Sequence, residues 1–176
     1  MTITTTSFEG VKTSFFKERI RKPIILGGIL VLSISAFCNR YTIIPPTGSV
    51  PCISGLVFLL DRHDMNIHEG DLVTFLAKNT QLFANDTVFT KLVVGDAGDE
   101  VKVNRNSVSN AGKVWNTDIT VAAQVLKMPL DKLSRTERIK ENHLFAIGTL
   151  PGSYDSRFWG EVNIEEQVVG KTYVLI

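Results

Sequence analysis

The chain has 176 residues, 44% of them hydrophobic, with Lys+Arg 19 against Asp+Glu 18 and a net charge of +1. That length holds one domain and an appendage, and the apolar content suffices for a packed core. The even charge balance gives no basic field for nucleic acid, and two cysteines exclude a disulfide scaffold.

Residues Met1 to Phe16 are rich in Thr and Ser, with few apolar residues, and read as a mobile segment. Lys17, Arg19, Arg21 and Lys22 follow, opposed by Glu18 alone. Pro23 to Phe37 then runs without a charge. As a helix those residues span roughly 22 Å, short of a hydrocarbon core of about 30 Å. Ile20 and Cys38 lengthen the run, and Arg21 and Lys22 can snorkel. A buried core helix fits poorly, because the run is apolar all round and sits behind a cationic cluster. A cleaved signal peptide is a second reading, with Ser33-Ile34-Ser35 as its small-x-small site. An uncleaved anchor is favoured: 1–22 cytoplasmic, 23–38 across the lipid bilayer and 39–176 as the extracytoplasmic (periplasmic) domain, by the positive-inside rule. In such a compartment Cys38 and Cys52 could pair; the favoured alternative leaves Cys38 at the membrane edge and Cys52 as a small hydrophobe.

Ile44-Pro45-Pro46-Thr47-Gly48-Ser49-Val50-Pro51 follows the anchor. Its prolines hold the flanks extended around one hydroxyl, as an exposed nucleophile needs and as an ordinary linker also shows. Gly55 to Leu60 reads as a strand. The loop Asp61 to Asp71 holds His63, Asp64, His68, Glu69 and Asp71. Its histidines are five apart and no cysteine joins them, so a solvated turn is favoured over a zinc site and no cofactor is expected. Leu72 to Ala77 and Thr87 to Val94 read as strands around a loop with Asn85-Asp86 as its turn signal.

Lys91 is the one ionisable residue between Asp86 and Asp96. Alternation places it on one face with Phe89 and Val93. A lone strand lysine is commonly a solvent-facing edge residue. The functional reading is an amine held among apolar side chains, where lost hydration favours its neutral, basic form. Gly95 to Asp99 is a tight turn, and Glu100 to Val103 forms a hairpin with the region of Val108, its tip at Asn104 to Asn106. Lys113 to Gln124 reads as further short strands and Pro129 to Lys140 as one or two helical turns. Leu144 to Ile147 is a buried strand and Gly148 to Arg157 a loop packed down by Phe158-Trp159-Gly160. Val162, Ile164, Val168-Val169 and Tyr173 to Ile176 supply the last strands. The fold class is mainly β, an all-β barrel or sandwich-like domain behind one transmembrane helix.

The chemistry turns on a base for Ser49. His63, His68 and His143 bring no companion motif such as G-x-S-x-G. A Ser-Lys dyad needs one hydroxyl, one desolvated amine and oxyanion donors, and Lys91 is its candidate.

Three blocks together resemble the type I signal peptidases, membrane-anchored Ser-Lys serine proteases. They are Ile44-Pro-Pro-Thr-Gly-Ser49-Val-Pro51, Phe89-Thr-Lys91-Leu-Val-Val-Gly95-Asp-Ala-Gly98-Asp99-Glu-Val101, and Phe145-Ala-Ile-Gly148 with Ser153-Tyr-Asp155-Ser156-Arg157-Phe-Trp159-Gly160. The resemblance implies Ser49 as nucleophile, Lys91 as general base and Thr47 as an oxyanion-hole hydroxyl beside the Ser49 N–H. It implies Ser153 as the hydroxyl that orients the lysine amine, and Asp155 with Arg157 as a supporting ion pair. The substrate would be a precursor protein cleaved after small residues, with apolar pockets near Ser49 and the Lys91 strand. Val50-Pro51 after the nucleophile and Thr149-Leu150 after Gly148 depart from the usual pattern. The single anchor, Ser-x-Pro and compact body are more similar to the conjugative-transfer (TraF-type) branch, which matures pilin precursors for type IV secretion. A LexA-type autoprotease would need a DNA-binding domain where the apolar run stands. A non-catalytic scaffold of a secretion apparatus is the other alternative, against which both Ser49 and Lys91 argue.

Overall fold

The computed structural model describes residues 9–45, 52–54, 57–150 and 152–176. The chain divides into two compact units, 1–40 and 41–176. The first contains helix α1, Glu9–Arg40, which continues through Pro23. The helix thus begins ahead of the apolar run, at Glu9. Once a helix is nucleated, each added residue gains a hydrogen bond at little further cost. Within α1, Arg19–Arg40 has mean hydropathy 1.7 and is long and apolar enough to cross a membrane, by length and composition. Its 22 residues rise about 33 Å.

The second unit is built on β-strands: β1 Tyr41–Ile44, β2 Phe58–Asp61, β3 Leu72–Leu76, β4 Val88–Gly95, β5 Glu100–Val103, β6 Ser107–Asn110, β7 Lys113–Asn116, β8 Arg135–Arg138, β9 His143–Ile147, β10 Val162–Asn163 and β11 Val168–Val174. The described strands form two antiparallel sheets. The larger has the order β1-β2-β11-β3-β4-β9-β10, and the smaller β7-β6-β5-β8.

Strands β4 and β9 lie inside the large sheet and are covered on both faces. Val93, Leu144 and Ala146 join Ile67, Val73, Phe75 and Val162 in one core. Val94, Phe145 and Ile147 turn the other way, onto Val101, Val103, Val108 and Ile139 of the small-sheet side. A two-sided burial of this kind explains why both strands read as apolar runs rather than clean alternation. The β5–β6 hairpin pairs Val103 with Val108, as its sequence predicts.

Three segments differ from expectation. Only Lys113–Asn116 of the Lys113 to Gln124 region is a strand; Thr120–Leu126 is helix α2. Ile119, Ala122 and Ala123 are buried at the i, i+3, i+4 spacing of a helix face, and Lys127 closes it in the left-handed conformation at φ 53°. Pro129 to Lys140 gives one 3₁₀ turn at Leu130–Lys132, and then strand β8. The polar β8 is held by backbone pairing with β5, Glu100 opposite Arg138 and Val103 opposite Arg135, which no side-chain pattern announces. Ile164 opens the short helix α4, Ile164–Gln167, where the Asn163 side chain accepts from the Glu166 N–H. Cys38 and Cys52 are free thiols, so they form no disulfide.

Gly170 interrupts β11 at a register shift against β3, with φ at +156°. A Cβ there would stand 2.2 Å from the Asp61 carbonyl oxygen. Gly170→Ala is therefore expected to lower unfolding stability by about 1–3 kcal/mol, read from urea denaturation of the full chain.

Candidate active site

Strand β4 carries Lys91 into the interior of the large sheet, between β3 and β9 and opposite Val73 of β3. The side chain is 0% exposed, so the edge-strand reading does not hold. Its methylenes suit an apolar surround, while its nitrogen requires a partner. Nζ donates to Ser153 Oγ at 2.8 Å and sits 5.3 Å from the centre of the Phe89 ring.

Ser153 is 1% exposed and is held from several directions. Its N–H donates to the Leu150 carbonyl at 3.3 Å, and its carbonyl accepts from Arg157 Nη2 at 3.2 Å. The space it occupies exists because residue 148 is glycine. A Cβ on Gly148 would fall 1.9 Å from Ser153 Oγ, 2.4 Å from its Cβ and 3.0 Å from the Cys52 carbonyl oxygen. That same carbonyl accepts from the Thr149 and Leu150 N–H groups at 2.9 and 3.2 Å. The 148–153 loop is thereby tied to the segment that begins three residues after Ser49. Ser49 and Thr47 themselves lie outside the described residues.

Asp155 and Arg157 form a bidentate ion pair, both side chains 0% exposed. Nε donates to Oδ1 at 2.7 Å and Nη2 to Oδ2 at 2.6 Å. Asp155 also accepts the Gly148 N–H at 2.8 Å and caps the short helix α3, Ser156–Trp159, through the Arg157 N–H at 3.2 Å. Arg157 Nη1 donates to Thr117 Oγ1. Two residues of this surround were not legible as partners. Thr117 stands forty positions away. Arg135 of β8 donates to the Arg157 and Ser156 carbonyls at 2.7 and 3.0 Å. Sequence separation hides both contacts, and nothing in either neighbourhood signals them. Tyr154 packs edge-on against Trp159, which stacks on Phe89, so the aromatic residues extend from the loop to the lysine strand.

His68 and His143 take partners other than Lys91 and Ser153. His68 Nε2 meets Asn66 Oδ1 at 2.9 Å, and its Nδ1 lies 3.6 Å from Asp96. His143 Nδ1 meets the Glu141 carbonyl at 2.7 Å.

The described residues thus hold a buried lysine amine bonded to a serine hydroxyl, in an antiparallel β domain that follows an apolar helix in the chain. The family described as signal peptidase, peptidase S26, matches residues 18–176, and the chain belongs to that family. It is a signal-peptidase-type serine endopeptidase. A solved signal peptidase I from Enterococcus faecalis V583 is similar at 18% identity, over 60% of this chain and 95% of that one, with a TM-score of 0.40. No curated protein matches the chain.

Removing one member of a buried pair leaves an uncompensated charge. Arg157→Ala is expected to cost about 3–5 kcal/mol in a urea titration. Asp155→Ala with Arg157→Met is expected to cost less than Arg157→Ala alone. Gly148→Ala is expected to displace Ser153 and to lower kcat for precursor cleavage about 100-fold, read with the protein still folded by circular dichroism.

Proposed function

We propose that this peptidase cleaves its precursor through Ser49 as nucleophile and Lys91 as general base. The observation that carries this reading is the 2.8 Å bond from Lys91 Nζ to Ser153 Oγ inside a fully buried strand position. An ammonium has no lone pair, so the base is the neutral amine. With one N–H committed to Ser153, its lone pair is left to receive a proton from elsewhere.

Ser49 Oγ attacks the scissile carbonyl carbon while its proton passes to Lys91 Nζ. The resulting oxyanion accepts from the Ser49 N–H and the Thr47 hydroxyl. Lys91 returns the proton to the departing amine, leaving an acyl-enzyme. A water then gives its proton to Lys91 and attacks the ester, releasing the acid product and Ser49. Ser153 positions the amine. Asp155 and Arg157 act through Ser153 and Gly148, holding the loop that positions it.

The chain would be a single-pass protein anchored by the helix at 23–38. Lys17, Arg19, Arg21 and Lys22 would lie on the cytoplasmic side and the catalytic domain outside. The Ser49-Val50-Pro51 sequence and the compact body favour a pilin precursor of a conjugative type IV secretion apparatus as substrate.

Ser49→Ala and Lys91→Met are each expected to abolish precursor processing. Lys91→Met conserves volume and is expected to leave the unfolding free energy within about 1.5 kcal/mol of the parent. Co-expression with candidate pilin and secreted precursors, followed by mass spectrometry of the product ends, reads substrate, cut position and any cyclisation. Processing that persists in both variants would overturn the dyad. Processing of other exported precursors, with pilin left untouched, would overturn the pilin assignment.

A further inference from the structure

The Lys91–Ser153 pair has an aromatic neighbour on each partner's side. Phe89 precedes Lys91 by two positions on β4, its ring centre 5.3 Å from Nζ. Tyr154 follows Ser153 directly. A third ring touches both of them. Phe83 meets Phe89 edge-on, with 5.1 Å between centres and 87° between planes, and lies 5.8 Å from Tyr154. Phe83 belongs to neither element. It stands in the loop between β3 and β4, two strands already paired in the large sheet.

Two residues suffice to join antiparallel neighbours, so sheet closure does not set the length of this loop. Its neck is pinned by backbone bonds of 2.8 Å, from the Ala77 N–H to the Thr87 carbonyl and from the Asp86 N–H to the Ala77 carbonyl. Asn79 and Asp86 take left-handed conformations, at φ 55° and 68°, which Asn and Asp tolerate better than most residues. The tip is fixed from within: the Asn79 N–H donates to Asn85 Oδ1 at 2.8 Å, and Thr80 Oγ1 to the Phe83 carbonyl at 2.9 Å. It is also fixed from outside, by the Gln81 N–H donating to the Tyr154 hydroxyl at 3.0 Å. Phe83 is 42% exposed, so it is not a core side chain. Its ring contacts among the described residues are the two with Phe89 and Tyr154.

We propose that the 79–86 loop is a strap that positions the Lys91–Ser153 pair, with Phe83 held between Phe89 of the lysine strand and Tyr154 of the serine loop. The inference rests on the Ser-Lys reading of the site. The Asp155–Arg157 pair orders the serine loop through the Gly148 N–H and the Ser153 carbonyl. The strap ties that loop to the lysine strand. Trp159, packed against the core, joins the same two rings, and Phe83 joins them at the exposed end. With the strap released, Ser153 keeps its own loop bonds, but the loop is freer to shift against Lys91. A small misplacement of a reacting or orienting group is enough to slow catalysis. Phe83 and Tyr154 are positioning residues that act through Lys91 and Ser153.

The test uses the full chain in detergent micelles and a precursor peptide. Phe83→Ala is expected to lower kcat about tenfold, the combined size of two aromatic pairs, with KM within about twofold of the parent. Phe83→Tyr keeps the ring and is expected to hold kcat within about twofold of the parent. Tyr154→Phe is expected to lower kcat about fivefold, the size of one hydrogen bond. Phe83→Ala combined with Tyr154→Phe is expected to lose less than the two losses multiplied, because both release one strap. An unchanged kcat in both single variants, an equal fall in Phe83→Tyr, or a rise in KM alone, which makes Phe83 a substrate contact, overturns the strap. A parent chain that cleaves nothing counts against the dyad instead, and the strap is then read from amide hydrogen exchange of residues 148–157 by mass spectrometry. Faster exchange there in Phe83→Ala than in the parent and in Phe83→Tyr, with residues 58–61 and 168–174 unchanged, supports it. Unchanged exchange, or a rise in every segment, overturns it.

Discussion

The Asp155–Arg157 pair is the constraint on which the site depends. Both groups are excluded from water, so each must satisfy its hydrogen-bonding capacity within the protein. They do so on the backbone of the loop they organise. Asp155 takes the Gly148 N–H at one end, and Arg157 takes the Ser153 carbonyl at the other. A loop without regular pairing thereby acquires the definition of a sheet element. The second sheet is drawn in as well, because Arg157 also reaches Thr117 beyond the end of β7. Desolvation makes the pair expensive to assemble and more expensive to leave half-made. Its value here is geometric: it sets where the Ser153 hydroxyl stands.

That placement meets a second constraint, the burial of Lys91. A lysine in the middle of a seven-stranded sheet is costly unless its nitrogen is bonded. Ser153 supplies the bond, and Gly148 supplies the room for Ser153. The three positions work as one unit. The glycine is needed for close approach rather than for an unusual backbone angle, since the neighbouring atoms already fill the volume a Cβ would take. Around them, Phe89, Trp159 and Tyr154 close one side with aromatic surface.

Parts of this were legible in the chain and parts were not. The strands β3, β4, β5 and β9 were readable because their side chains carry the burial pattern. The helix α2 was missed although Ile119, Ala122 and Ala123 show its spacing, because the segment is short and Val121 and Val125 look like strand residues. In β8 the residues Arg135, Thr136, Glu137 and Arg138 carry no apolar signal at all. Their strand exists because β5 offers unpaired backbone groups beside them. The start of α1 at Glu9 was missed for a similar reason: propagation along a helix depends on what is already helical, not on the added residues alone.

The sequence by itself determined the β character of the domain and the apolar segment before it. These are local properties, written in periodicity and in charge-free runs. Only the tertiary structure decided that Lys91 is interior rather than on an edge, since edge and interior strands are told apart by their neighbours. It also decided that Ser153 meets that amine across sixty-two positions, and that Thr117 and Arg135 complete the surround of Arg157. Such contacts follow from strand order and from the space left by one glycine, and neither is a property of any stretch of chain taken alone.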